Sequence, residues 1–125
     1  MHSDPTLAQR QNASPEDLVL MLFEGAVRFG REARRAIDAG DRPRAGQLVG
    51  RVRAIVRELE NGLNPEAGAI SRHLAAIYEY VLRRLEPADV DAEIIDEVVA
   101  DIEVLCEAWS ALVARRQADV APAVA

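Results

Sequence analysis

Ser14-Pro15-Glu16-Asp17-Leu18-Val19-Leu20-Met21-Leu22-Phe23-Glu24-Gly25-Ala26 opens the segment whose reading decides the fold. Ser14 is a good N-cap, and Pro15 stands at the first helical position, where a missing N–H leaves no bond unmade. Asp17 is placed to return the capping-box bond. From Leu18 onward, Leu18, Leu22, Gly25, Ala26, Phe29, Ala33 and Ala36 fall on one side of a 3.6-residue period. The pattern predicts an amphipathic first helix over residues 14–39 that stops at Gly40.

Three further segments repeat the theme. Residues 43–61 carry Ala45, Leu48, Val52, Ile55, Val56 and Leu59 on one side, with Asp41 as a cap and Asn61-Gly62 at the end. Residues 65–86 carry Ile70, Leu74, Ile77, Tyr78, Val81 and Leu85, and Pro87 stops them. Their start lies either directly after Asn64 or nearer Gly68. Residues 91–116 carry Ile95, Val98, Ile102, Leu105, Trp109 and Leu112. Four amphipathic segments with short connections cannot bury their stripes alone, and no strand-like alternation competes. The expected fold is all-α, an elongated, mainly antiparallel four-helix bundle over residues 14–117. Residues 1–13 read as a flexible amino-terminal arm and 118–125 as a frayed tail.

At 125 residues, with half the chain apolar but only 4% aromatic, one core built from Leu, Val, Ile and Ala is expected. A net charge of -6 opposes nucleic acid and anionic lipid. The longest strongly apolar run, Leu18 to Phe23, is far short of the roughly 20 residues a membrane span needs, so no membrane insertion is expected. The amino terminus shows no secretory pattern, and Cys106, the single cysteine, fits a reducing, cytoplasmic setting. All 15 basic residues are arginine, which reads first as compositional bias alongside abundant alanine.

Charge is strongly polarised along the chain. Residues 28–57 hold nine arginines against Glu32, Asp38 and Asp41, whereas residues 86–107 hold nine acids and no base. Glu93-Glu97, Glu97-Asp101 and Glu103-Glu107 are like-charge i,i+4 pairs that call for compensation. Antiparallel packing of the first and last helices would set Arg31, Arg34 and Arg35 beside those acids. Two solvated faces of opposite sign are the alternative.

Leu20, Phe23 and Val27 point away from the Leu18–Leu22–Phe29 side and form a second stripe on the first helix. Three arrangements account for it. A partner covers it, or residues 1–13 or a neighbouring helix cover it, or the helical wheel is centred elsewhere. Ala69, His73, Ala76 and Tyr80 make a milder off-stripe group, with Tyr80 either a contact residue or an ordinary half-buried aromatic.

Residues for catalysis are scarce. His2, His73 and Cys106 cannot assemble a zinc cluster, no Glu-x-x-His pair suits a di-iron bundle, and the glycines are scattered singly rather than in a phosphate loop. Ser71-Arg72-His73-Leu74-Ala75 lacks the lysine or glycine that would support a phosphorelay histidine. The arginine-rich residues 42–57 lack the interleaved aromatics of a nucleic-acid surface. No metal, cofactor or enzymatic role is expected.

The same residues resemble a known family. Ala13 to Ala26 is similar to the opening helix of flagellar secretion chaperones of the FliS type, a Ser-Pro start and hydrophobic run followed by Leu-Tyr-Asp-Gly-Ala, with Phe23 and Glu24 in place of the tyrosine and aspartate. Arg53 to Leu59, Leu74 to Leu85 with its Tyr78-Glu79-Tyr80, and Trp109 in the last helix resemble later family segments in the same order. The resemblance spans about residues 12–112. It implies a cytoplasmic export chaperone that holds the carboxy-terminal region of flagellin in hydrophobic grooves, blocks premature assembly and presents it to the flagellar export machinery. Leu20, Phe23 and Val27, with Tyr80, are the implied contact residues. The arm before Ser14 lacks the family's usual tyrosine, leaving Leu7 as a smaller anchor. Homodimerisation of the client-free protein through the unfilled groove is an open alternative. So is a four-helix adaptor or regulatory protein with another helical client.

Overall fold

The structure, a computed structural model, describes residues 14–64, 66, 68–86 and 90–124. The expected arm at residues 1–13 lies outside the described residues. Among them are four helices and no strand: α1 (Pro15–Asp38), α2 (Arg42–Asn61), α3 (Ala69–Arg84) and α4 (Ala92–Val124).

The start of α1 follows from its local chemistry. The Asp17 amide donates to Ser14 Oγ at 3.2 Å, the Asp17 carboxylate accepts from the Ser14 amide, and Pro15 occupies the first turn. Asp41 caps α2 by accepting from the Arg44 amide at 3.1 Å. The start of α3 resolves to Ala69 rather than the residue after Asn64, with Gly68 before it at φ +75, a conformation that other residues rarely adopt. α4 runs on to Val124, past the end expected near Arg116. Arg115-Arg116-Gln117-Ala118 is a run of good helix formers, and Pro122 arrives only in the final turn.

α1 lies at the centre of the packing, running against both α2 and α4, while α3 meets α2 and α4 much more sparsely. The pairing is antiparallel. Gly25 of α1 faces Ile55 of α2, and Glu32 faces Arg44. Arg34 and Arg31 reach Asp96 and Glu103, whereas Glu16 meets Trp109 and Arg116 of α4. α3 and α4 are tied near their shared turn through Arg84 and Glu97. With 24 residues, α1 is about 36 Å long, so the bundle is elongated.

The core contains Phe23, Ala26, Val27 and Ala33 of α1, Leu48, Val49, Val52 and Val56 of α2, Tyr78 and Val81 of α3, and Ile95, Val98 and Ile102 of α4. Phe29, Leu74 and Trp109 are partly buried and pack against it. One close approach depends on the absence of a side chain. A Cβ added to Gly30 would stand 2.5 Å from Val99 Cγ2, so the α1–α4 seam closes to its observed separation only with glycine there. No buried side-chain polar atom among the described residues lacks a hydrogen-bond partner.

Candidate partner-binding surface

The two stripes of α1 face two neighbours. Gly25 and Phe29 lie toward α2, with Ile55 Cδ1 3.4 Å from where a Gly25 Cβ would sit and the Arg51 guanidinium 5.3 Å from the Phe29 ring. Phe23 and Gly30 lie toward α4, with the Phe23 ring 6.2 Å from Trp109 and also 6.5 Å from Tyr78 of α3. The expectation of an uncovered Phe23–Val27 stripe is therefore corrected. Phe23 is 1% exposed and Val27 8%. A helix flanked on both sides buries an arc wider than one stripe, and the wheel is centred on Phe23, Ala26 and Gly30 rather than on Leu22 and Phe29.

Leu20 is half-buried on the side of α1 that also carries Val27 and Arg31 and meets α4. Tyr80 is exposed, and its hydroxyl donates to Glu97 Oε1 at 2.5 Å. Glu97 also accepts from Arg84 Nε and Nη2 at 3.0 and 2.6 Å. The Tyr80 hydrogen bond and then the Arg84 guanidinium hold the Glu97 carboxyl below its usual range, and the same bond pushes the Tyr80 phenol up. Leu7 lies outside the described residues.

The apolar surface left free is elsewhere. Ile70 is 70% exposed and Val104 66%, with Leu112, Tyr80 and Leu18 also exposed. Leu18, Ile70 and Leu112 were assigned to core faces by periodicity, and the structure places them outside. The antiparallel order explains where they gather. α1 begins, α3 begins and α4 ends at one end of the bundle, which brings Leu18, Ile70 and Leu112 to that end. α3 is the shortest helix and buries only Ser71, Tyr78 and Val81, so its first turn has little to pack on. Val104 stands off the Ile95–Val98–Ile102 stripe. The off-stripe test that singled out Phe23 on α1 would have found Val104 on α4.

A depression runs between α1 and α4, where Arg28, Arg31 and Arg35 stand among Glu24, Glu103 and Glu107, with Val27 and Cys106 also lining it. Its charged rim would have to be stripped of water by an apolar occupant, which sets it apart from the exposed apolar side chains Ile70 and Val104. No group of three or more His, Cys, Asp and Glu suited to a metal ion occurs among the described residues. No described helix is long and apolar enough to cross a membrane.

This geometry is a helical bundle with an unburied apolar end. The family described as flagellar protein FliS matches residues 6–116. The chain belongs to the FliS family. The flagellar secretion chaperone FliS of Salmonella typhimurium is 35% identical over 102 residues, covering 78% of this chain and 76% of the relative. That of Bacillus subtilis is 30% identical over 122 residues, covering 93% and 91%. The flagellar secretion chaperone FliSB of Pseudomonas aeruginosa is 30% identical over 108 residues, covering 84% and 86%. The resemblance read over about residues 12–112 and the all-α bundle agree with this FliS membership.

Proposed function

We propose that this chain is a non-enzymatic export chaperone that binds the carboxy-terminal region of flagellin in the cytoplasm, prevents its premature polymerisation and delivers it to the flagellar secretion apparatus. The observation that carries the reading is the exposure of Ile70 on α3 and Val104 on α4, the two most exposed large apolar side chains described. A segment disordered on its own loses conformational entropy when it docks, at about 2–5 kcal/mol, and burial of apolar area at about 25 cal/mol per Å² must outweigh that loss. Isolated large aliphatic side chains at the α3 start and along α4 supply such area for an amphipathic helix. Leu112, Leu20 and Tyr80 extend the contact surface, and Leu7 is an additional anchor on the preceding segment. Phe23 and Val27 act indirectly, by holding α1 in place.

The test is calorimetric titration of the full chain with a flagellin carboxy-terminal peptide, using Ile70→Asp and Val104→Asp. Each variant should keep its helical circular dichroism and lose at least tenfold in affinity. Unchanged affinity in both variants rejects this surface, and absence of binding by the unsubstituted chain rejects the client.

A further inference from the structure

Nine arginines stand between residues 28 and 57, and the structure shows what becomes of each. Arg31 and Arg34 cross to Glu103 and Asp96 on α4. Arg44 lies 4.0 Å from Glu32, and Arg53 Nη1 donates to the Leu82 and Leu85 carbonyls at 2.5 and 3.2 Å. The three acids of the same stretch are also engaged, Glu32 with Arg44, Asp38 with Arg34, and Asp41 at the amide of Arg44. Arg28, Arg35, Arg42, Arg51 and Arg57 remain exposed, with no acidic partner among the described residues.

Two of these five are held in place. The Arg28 guanidinium lies 5.4 Å and the Arg51 guanidinium 5.3 Å from the centre of one ring, Phe29, at the α1–α2 seam. A cation resting on an aromatic loses less freedom when it meets a carboxylate than one moving in water, and guanidinium edges present N–H groups in the geometry a carboxylate accepts. Arg35, two helical turns along α1, instead lines the depressions between α1 and α4 beside Asp96 and Glu103. The result is a positive pair, Arg28 and Arg51, at one seam of a molecule whose net charge is -6, so overall composition does not account for it as a solubilising field.

We propose that the outer α1–α2 face, centred on Arg28, Phe29 and Arg51, is a docking surface for an acidic polypeptide segment. Charge complementarity selects that occupant. The nine acids between residues 86 and 107 of the same small domain oppose the long uniform charge of a nucleic acid or an anionic bilayer, whereas a short acidic helix can engage one seam and clear them. In the ring order of the helices this seam lies opposite the sparsely packed α3–α4 side. The inference stands apart from the client reading, because it concerns different residues and a different kind of ligand.

A fluorescein-labelled deca-glutamate peptide is titrated into the full chain by anisotropy at low and at physiological salt, with a deca-uridine oligonucleotide and phosphatidylserine vesicles in parallel. The expected result is saturable peptide binding that weakens several-fold with salt. It should fall at least tenfold in Arg28→Glu/Arg51→Glu, be largely restored in Arg28→Lys/Arg51→Lys, and be unchanged in Arg83→Glu on α3. Amide chemical-shift changes confined to α1 and α2 support the site even where a charge-reversed variant folds poorly. No peptide binding, binding indifferent to the charge reversal, shifts confined to other helices, or preferential binding of the oligonucleotide or the vesicles overturns it.

Discussion

The indole N–H of Trp109 donates to the backbone carbonyl of Glu16 at 2.9 Å, closing the first turn of α1 against the second half of α4. The Glu16 carboxylate meets Arg116 two helical turns further on, so two side chains of α4 hold one residue at the α1 start. Trp109→Phe keeps most of the apolar area and removes the bond, and should lower stability by about 1 kcal/mol. Trp109→Ala removes the packing on Phe23 as well and should cost about 3 kcal/mol. Urea unfolding followed by circular dichroism measures both, and equal effects for the two would contradict the separate role of the bond.

Phe23 is a core residue, and its substitution should behave as one. Phe23→Ala should cost about 3–5 kcal/mol, with client binding lost only in proportion to the unfolded fraction. Ile70→Asp should change stability by no more than about 0.5 kcal/mol. Melting curves recorded beside the binding titrations separate the two behaviours. A stable Phe23→Ala protein would show that the ring is not essential to the core.

Gly30→Ala should destabilise the bundle by about 1–3 kcal/mol, because its methyl would meet Val99 Cγ2 at 2.5 Å. Removing the obstacle in Gly30→Ala/Val99→Ala should recover part of that loss beyond what the single changes predict by addition. A double-mutant cycle of denaturant midpoints gives the coupling, and strict additivity would mean that the contact does not set the α1–α4 separation.

Burial pushes the Tyr78 phenol up to about 12 from its ordinary value of 10.0. Folding favours the protonated ring, so this group's contribution is complete below pH 10 and is lost as the pH rises toward 12. The Tyr80 phenol is also raised, first by its bond to Glu97. In Tyr80→Phe the remaining phenolate absorbance should therefore stay low through pH 10 and rise toward pH 12 in the folded protein. A full tyrosine transition centred at pH 10 in the folded state would refute the placement of Tyr78.

Much of the architecture was legible because its signals are local. Ser14, Pro15 and Asp17 act within one turn, Asp41 does the same for α2, and Trp109 and Leu74 pack where their spacing put them. The charge pattern also carried tertiary information, since Arg31 and Arg34 do meet the acids of α4. The proposed binding surface was not legible in the same way. Periodicity finds the direction in which large apolar side chains point, but it gives little weight to Gly25, Ala26, Gly30 and Ala33, which are buried because helices approach closely there. It also cannot tell that Ile70 lies where the neighbouring helices offer no cover. Leu18 and Leu112 were misplaced for that reason, and Phe23 for the other.

The polar ties from α3 to other helices are gathered in its second half, where Arg53 holds the Leu82 and Leu85 carbonyls and Tyr80 and Arg84 hold Glu97. The Ala69 end follows a glycine with no side-chain cap. Thermal opening of this helix should accordingly begin at Ala69 and die out before Tyr80, like a page lifting from a bound spine. Among the described residues only the Ser71 hydroxyl, donating to the Asn64 carbonyl at 2.5 Å, tethers that margin, so under the proposed function a client entering there would displace one turn and leave the rest of the bundle folded.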